Sequence, residues 1–278
     1  MKVALTLCGF TLAGSLAAAA ITPPVTLRVT EFGRGPTLVL VHGLGGARLG
    51  WMPTTRKLLS NYHVVMVDLP GHGESPLPDP FSLEAAAEAL DQVVAKQRAD
   101  STVVVGQGLG GLLALMSASA HPDHQKGLVL IDVGLKSPLP IDDQQKKQFL
   151  DYMDQNYDQV TTMIFSRMGR DSAQGVQVQA MAAQVPPVTI KAYMRHLLDA
   201  DATRAVRSLK TPVLVVMSDK RFPPDKDWAV VGKELGWEDP ASHPARRIAR
   251  SAALMASDQP DTLAMVLSDF AKQAMAKK

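Results

Sequence analysis

The sequence predicts an α/β fold built on a mostly parallel sheet with helices on both faces. Short apolar runs alternate with helical patterns along the 278 residues. Continuous Val and Leu runs, rather than strict alternation with polar residues, are typical of strands buried on both faces. Repeated alternation of strand and helix favours parallel strands joined by crossover helices. Hydrophobic residues at 46% and charged residues at 20% allow a sizeable core and exclude wholesale disorder.

The individual elements follow from hydrophobic periodicity. Apolar runs bounded by turn residues predict strands at 25–30, 37–41, 63–67, 102–105, 128–131 and 213–217. Apolar residues at helical spacing predict helices over 81–98, 112–119 and 258–272. These elements assign residues 21–133 and 211–278 to one α/β core.

A long stretch without strand signals interrupts the alternation between Asp132 and Val213. Helical spacing predicts helices around 149–164 and 188–198. We expect residues 134–210 to form a helical cap over the carboxyl edge of the sheet, where open α/β sheets bind ligands. Its methionines either form an adaptable apolar lining or fill gaps in the core of the cap. They are Met153, Met163, Met168, Met181 and Met194.

Residues 1–20 have the layout of a secretory signal peptide. A basic start, Met1-Lys2, precedes an uncharged, mostly apolar stretch that ends in a run of alanines. We therefore expect cleavage near Ala20, a periplasmic or secreted protein, and no stable membrane span after cleavage. A retained membrane anchor is the alternative, but the Ala and Gly content of the stretch favours cleavage.

Charge and cysteine content exclude several classes of function. Lys and Arg number 29 against 27 Asp and Glu, which is too even for a nucleic-acid-binding surface. The chain has 1 Cys, so a disulfide framework and a Cys-rich zinc site are excluded. We expect no metal and no cofactor.

Five segments, in this order and at these spacings, resemble the α/β-hydrolase superfamily. They are Val41-His42-Gly43-Leu44-Gly45-Gly46, Asp68-Leu69-Pro70-Gly71-His72-Gly73-Glu74-Ser75, Val105-Gly106-Gln107-Gly108-Leu109-Gly110-Gly111, Thr211-Pro212-Val213-Leu214-Val215-Val216 and Asp258-Gln259-Pro260-Asp261. The resemblance covers residues 25–275. It implies an α/β-hydrolase fold and an oxyanion hole formed by the backbone N–H groups of Leu44 and Leu109.

The resemblance also implies where a catalytic triad would stand. It places Gly108 at the nucleophile, Arg221 at the acid and Ala253 at the histidine. Glycine offers no hydroxyl, thiol or carboxylate for the covalent intermediate that triad hydrolysis requires. We therefore expect triad hydrolysis to be lost and the chain to be a catalytically degenerate pseudo-hydrolase.

The same motifs predict a capped pocket. His42, Gly43, Gln107 and His72 are expected to line it, beside the two oxyanion-type donors. Such a pocket suits a small apolar or ester-like molecule.

Two alternatives remain open. The first is an active esterase-like hydrolase or lyase with an improvised site, in which Asp132 and His243 are the foremost substitutes and Asp219 or Asp225 could supply an acid. The second is a dinucleotide-binding protein. Gly106-x-Gly108-x-x-Gly111 lies between a strand and a helix, and Asp132 follows about 20 residues later, at the spacing of a ribose-binding acid.

Overall fold

The computed structural model describes residues 25–276 as a central sheet with helices on both faces. The strands are β1 Val29–Gly33, β2 Thr37–Val41, β3 His63–Val67, β4 Thr102–Gln107, β5 Gly127–Ile131, β6 Val213–Ser218 and β7 Ala245–Ile248. They form a 7-stranded sheet in the order β1-β3-β2-β4-β5-β6-β7. Only β1 is antiparallel to its neighbour, with Val29 opposite Val67. The predicted mostly parallel α/β fold is confirmed.

Eleven α-helices connect and flank the strands in the described part of the chain. They are α1 Met52–Leu58, α2 Leu83–Val94, α3 Leu109–Ala120, α4 Asp143–Gln155, α5 Tyr157–Ser166, α6 Ser172–Ala182, α7 Pro187–Leu197, α8 Thr203–Ser208, α9 Trp228–Glu234, α10 Met255–Asp258 and α11 Pro260–Ala276. Within residues 25–276, none of these helices combines the length and the apolar character needed to cross a bilayer.

The pleat of the strands divides the core into two layers. Val39 and Val41 of β2 belong to the apolar cluster that also contains residues of α2 and α3. Leu38 and Leu40 belong to the opposite cluster, together with residues of α1, α10 and α11. Successive side chains of a strand point to opposite faces, so a continuous apolar run supplies both layers.

Two edge strands differ from the prediction. β1 begins at Val29 rather than at Val25, and it extends to Gly33. β7 was missed because its sequence, Ala-Arg-Arg-Ile, contributes only Ile248 as a buried residue. Both strands lie at edges of the sheet, where one side is open and an apolar run is not required.

The stretch between β5 and β6 folds into the helices α4 to α8. Helices α4 to α7 share an apolar cluster, which packs against Leu44, Ala253 and Leu254 of the sheet's loops. Met153 and Met194 are buried in this cluster, whereas Met163 and Met168 are exposed. The methionines therefore do not form one continuous lining. The division into a cap, 134–210, and a core stays a prediction.

The predicted signal peptide, residues 1–20, lies outside the described residues. Its cleavage and the resulting location stay predictions.

Candidate active site

Gly108 forms the sharp turn between β4 and α3. Its backbone angles are φ 51° and ψ −119°, in a region where glycine carries no steric penalty. The N–H of Gly108 donates to the carbonyl of Ile131 at 2.8 Å, which ties the turn to the end of the neighbouring strand β5. The turn therefore stands at the carboxyl edge of the sheet, where ligand sites of α/β proteins lie.

The space around this turn differs from one glycine to the next. A Cβ atom built on Gly108 would meet nothing closer than the Cα of Gly43, at 4.0 Å. A Cβ on Gly106 would come within 2.5 Å of the Cα of Gly111, and one on Gly110 within 2.2 Å of the carbonyl oxygen of His42. The close approach of α3 to the strands thus requires glycine at these positions, while position 108 faces open space.

This packing also accounts for the dinucleotide-like glycine pattern. Gly106 and Gly111 are required because helix and strand approach each other closely. The carboxylate of Asp132, expected in that interpretation to bind a ribose, instead accepts a hydrogen bond from the backbone N–H of Ser218 at 2.7 Å. The dinucleotide interpretation therefore has no separate support among the described residues.

Two backbone N–H groups are free beside the turn. Within residues 25–276, neither Leu44 N–H nor Leu109 N–H has a hydrogen-bond acceptor. The two loops that carry them touch, since a Cβ on Gly43 would lie 3.3 Å from the carbonyl oxygen of Gln107. Free donors at a helix N-terminus and on an adjacent loop are the chemistry of an oxyanion hole. Their assignment to that role stays a prediction.

The two histidines expected to line the pocket are buried instead among the loops. Nε2 of His42 accepts from Leu69 N–H at 3.1 Å, and its Nδ1 lies 2.8 Å from the carbonyl oxygen of the next residue. Nε2 of His72 accepts from Gly45 N–H at 3.2 Å, and its Nδ1 lies 3.1 Å from the carbonyl oxygen of Pro70. Burial lowers the pKa of His72 to about 3. Both rings therefore hold the loops together as neutral imidazoles.

Asp132 is the acidic group next to the turn. It follows Ile131, the residue that binds Gly108 N–H, and it has a positive φ of 53°. Burial raises the pKa of Asp132 to about 6, while hydrogen bonds from Ser218 and the charge of Arg221 act in the opposite direction. The residue keeps some accessible surface. A carboxylate with a pKa near neutrality suits a general base.

The other positions singled out from the sequence lie around this edge. Gln107 Nε2 donates to the carbonyl of Ala253 at 2.9 Å, so the loop after β7 reaches the turn. Arg221 is exposed after β6, and a Cβ built on Gly134 would lie 3.5 Å from its Nη2. The ring of His243 packs on Trp237, with centroids 5.4 Å apart. The triad roles inferred for Arg221 and Ala253 stay predictions.

The remaining two acids have different surroundings. An oxygen of Asp219 accepts from the backbone N–H of Arg250 at 2.5 Å. Asp225 is exposed to solvent. Asp219 is thus engaged in holding the loop after β7.

The inserted helices contact three loops of the edge. A Cβ on Gly45 would lie 2.8 Å from the ring of Phe165 in α5. The hydroxyl of Tyr193 in α7 donates to Pro70 at 3.1 Å, and Ala253 N–H donates to the carbonyl of Met168 at 3.3 Å. The insertion therefore covers the surroundings of the turn.

Asp258, the first residue of the fifth family-like segment, makes contacts that the sequence did not indicate. Its side chain is 5% exposed, and its Oδ1 accepts from Gln174 at 2.6 Å and from Arg170 at 2.9 Å. Its Oδ2 accepts from the backbone N–H of Ala252 at 3.1 Å. This one carboxylate joins α6 to the loop before α10. These partners lie far from Asp258 in the sequence, so no local pattern reveals the contacts.

The sequence model that describes the alpha/beta hydrolase family matches residues 38–264. This range includes the turn, both donor loops and the inserted helices. The chain belongs to the alpha/beta hydrolase family. An esterase from Thermogutta terrifontis, solved with malate bound, is 19% identical and superimposes with a TM-score of 0.74, covering 92% of this chain and 97% of that one. A hydrolase from Oleispira antarctica is 17% identical with a TM-score of 0.71, over 88% and 94% of the two chains. At this identity the likeness shows the fold.

Curated relatives have higher identity, but the alignments with them cover a shorter stretch of each chain than the structural superpositions do. A pimeloyl-[acyl-carrier protein] methyl ester esterase of Pseudoalteromonas atlantica is 37% identical over 108 residues, 38% of this chain and 40% of the relative. The enzyme of the same name from Neisseria meningitidis serogroup C is 42% identical over 91 residues, 33% of this chain and 34% of the relative. The match thus spans well under half the length of these relatives.

These relatives correct one expectation. A catalytically degenerate pseudo-hydrolase was expected because Gly108, Arg221 and Ala253 stand at the three triad positions. The relatives at 37% and 42% identity are named as esterases, which are active enzymes, so that prediction is wrong. The residue at one position does not by itself decide activity, because backbone N–H donors can stabilise a transition state without any side chain.

Proposed function

We propose that this protein is a carboxylic-ester hydrolase of the alpha/beta hydrolase family. The observation that carries the proposal is the set of groups around Gly108. The free N–H groups of Leu44 and Leu109 adjoin an open turn, and Asp132, with a pKa raised to about 6, follows the residue that anchors it. The esterase names of the curated relatives support the same reaction class.

Gly108 decides the route of the reaction. Because it has no side chain, no acyl group can be transferred to it, and a water molecule must attack the ester directly. Asp132 takes a proton from that water as its oxygen bonds to the carbonyl carbon, and the N–H groups of Leu44 and Leu109 stabilise the oxyanion that forms. The intermediate then collapses, and the departing alkoxide takes the proton back from Asp132. Ester and water thus give one acid and one alcohol.

The substrate class follows from the surfaces around the turn. The apolar cluster of the inserted helices packs on Leu44, Ala253 and Leu254, and such apolar surroundings suit an uncharged alkyl chain as the acyl part of the substrate. The relatives' names refer to a methyl ester of an acyl chain. We propose esters of small alcohols with medium-length acyl chains, held beneath a cap of residues 134–210.

The first experiment compares purified protein and an Asp132→Asn variant on p-nitrophenyl butyrate and on methyl esters of straight-chain acids. We expect the variant to lose at least about 100-fold in kcat/KM, the usual effect of removing a general base. The wild-type rate should rise with pH through about 6, the pKa of Asp132. Asp225→Asn, on the exposed loop after β6, is the matched control and should keep full activity. Equal rates for wild type and Asp132→Asn, or no hydrolysis above buffer, would overturn the proposal.

Export is proposed on the signal-like composition of residues 1–20. The test is fractionation of the native host followed by N-terminal sequencing, which should begin near Ile21. Recovery of the full-length chain from the cytosol would contradict export and would leave the proposed reaction unaffected.

A further inference from the structure

A cluster of two histidines and two carboxylates lies at the far end of α3 from Gly108. Glu88 and Asp91 are three residues apart on α2, so they share one face of that helix. His121 ends α3, and His124 lies in the following 3-10 turn, Pro122–His124. The packing of α2 on α3 brings the two pairs together. The candidate site around Gly108, at the other end of α3, does not involve these residues.

The short turn sets the two imidazoles parallel. A 3-10 helix has three residues per turn, so side chains at positions i and i+3 lie one above the other. The rings of His121 and His124 accordingly stack, with centroids 5.1 Å apart and an interplanar angle of 6°. Pro122 between them restricts the backbone. The two ring nitrogens are thus placed before any ligand arrives.

The polar atoms converge on one point. Nδ1 of His124 lies 3.0 Å from Oδ1 of Asp91, and Nε2 of His121 lies 3.8 Å from Oδ2 of Asp91. One ligand atom from each of these three residues lies within 4.8 Å of the other two. Nε2 of His121 is also 3.0 Å from Oε2 of Glu88. Ligands of a tetrahedral zinc ion at about 2.0 Å stand about 3.3 Å from each other, so these separations fit such an ion.

The carboxylate at the centre is built into the protein. The Asp91 side chain is 4% exposed, and the hydroxyl of Ser117 donates to its Oδ1 at 3.1 Å. Metal-ligating carboxylates are held in this way by a hydrogen bond from a neighbouring group. His121 and His124 keep about a third of their side-chain surface exposed, which leaves an entry path. Burial of Asp91 distinguishes the cluster from an ordinary surface ion pair.

We propose that Asp91, His121 and His124 form a binding site for a divalent transition-metal ion, with Glu88 as the fourth ligand. Two imidazole nitrogens with carboxylate oxygens favour Zn²⁺ over Mg²⁺ or Ca²⁺, which take oxygen ligands alone. The 12 residues of α3 separate the cluster from Gly108 by about 18 Å, so the ion has a structural role. It fastens α2 to the connection between α3 and β5.

The test is titration of Zn²⁺ into tag-free protein that a chelator has first stripped, followed by calorimetry and thermal unfolding. We expect one ion per chain and a rise in Tm with Zn²⁺, since a ligand that binds only the folded state stabilises it. His121→Ala and His124→Ala should each weaken binding at least about 10-fold, and the double variant should show no Zn²⁺-dependent shift in Tm. His63→Ala, which removes the half-buried partner of Glu31 at the β1–β3 edge, is the matched control and should bind normally.

Circular dichroism establishes that each variant is folded, which is expected because neither His121 nor His124 is a core residue. A visible absorption spectrum with Co²⁺ in place of Zn²⁺ reports four-coordination independently. Unchanged affinity in the double variant, or no saturable binding by wild type at about 1 mM Zn²⁺, would overturn the site. Neither outcome bears on ester hydrolysis, because the metal titration needs no substrate.

Discussion

Gln107 donates from its side-chain amide to the main-chain carbonyl of Ala253 at 2.9 Å, across 146 residues of sequence. Gln107 ends β4 immediately before the open turn, and Ala253 lies in the loop after β7. The bond fixes the distance between the turn and a loop that the inserted helices also hold, through Met168. The walls of the candidate site are therefore set partly by this one contact.

Gln107→Leu removes the bond and keeps most of the side-chain volume. We expect kcat/KM for esters to fall at least about 10-fold, because the loop of Ala253 is then free to move and a misplaced group is costly in catalysis. The free energy of unfolding should fall by only about 1 kcal/mol, the usual worth of a hydrogen bond. Gln97→Leu, which loses a bond from the end of α2 to Val93, is the control and should leave ester hydrolysis unchanged. Loss of stability without loss of activity would contradict the positioning role.

Asp132 predicts a dependence of stability on pH. Its folded-state pKa of about 6 lies above the unfolded value of 3.8, so the folded protein binds more protons between these values. Its contribution to stability is therefore complete at low pH and is lost as pH rises from about 4 to 6, by on the order of 2 kcal/mol. Asp132→Asn should remove this slope. Urea unfolding of both proteins from pH 4 to 7 gives the free energy of unfolding at each pH. If this free energy depends on pH equally in wild type and variant, the burial of the carboxylate is contradicted.

Because of His72, stability should also change with pH in the opposite direction. Its folded-state pKa of about 3 lies below the unfolded value of 6.5, because the fold buries the neutral ring. The unfolded chain therefore takes up a proton first, and stability is lost as pH falls from about 6.5 towards 3. His72→Asn should flatten this acid limb at the expense of lower stability at neutral pH. His63→Asn, at a half-buried position on β3, serves as the comparison for the loss of one imidazole elsewhere in the sheet.

Position 108 predicts a pattern of covalent labelling. A fluorophosphonate probe should not modify the wild type there, because glycine offers no atom to phosphorylate. Gly108→Ser alone should react slowly, since Ala253 and Arg221 supply neither base nor acid in the predicted triad register. The combined change Gly108→Ser, Arg221→Asp, Ala253→His should react faster than the single one, and Gly108→Ala should not react. Mass spectrometry of the labelled peptide reads out each case, and equal labelling of the single and triple variants would exclude that register.

Much of the fold could be predicted because buried parallel strands need continuous apolar runs, and β2 and β3 begin and end where their sequences predict. β7 was not predicted because an edge strand, here with two arginines, does not need a continuous apolar run. The turn at Gly108 was located correctly, since glycine spacing reflects close backbone packing that is local in sequence.

The rest depends on contacts between distant residues. The residues next to Asp258 in the sequence do not indicate that its carboxylate contacts Arg170, just before α6, and Gln174 of α6. The pairing of Asp91 with His124 could not be predicted because it joins residues 33 positions apart, through the packing of α2 on α3. The burial of His42 and His72 likewise follows from loop packing and not from their neighbours in the chain.

The open space at Gly108 has a consequence for engineering. Its neighbours Gly106, Gly110 and Gly111 cannot gain a side chain without collision, whereas position 108 can. A substitution at position 108 should lower the free energy of unfolding only through the backbone strain of a positive φ, which costs about 1–3 kcal/mol. Different side chains can therefore be placed at position 108 while the surrounding fold stays intact. Cysteine placed at this position would be the sole thiol of a chain lacking residues 1–20, which hold Cys8, and would accept a fluorophore, a spin label or a synthetic catalytic group at the centre of the site.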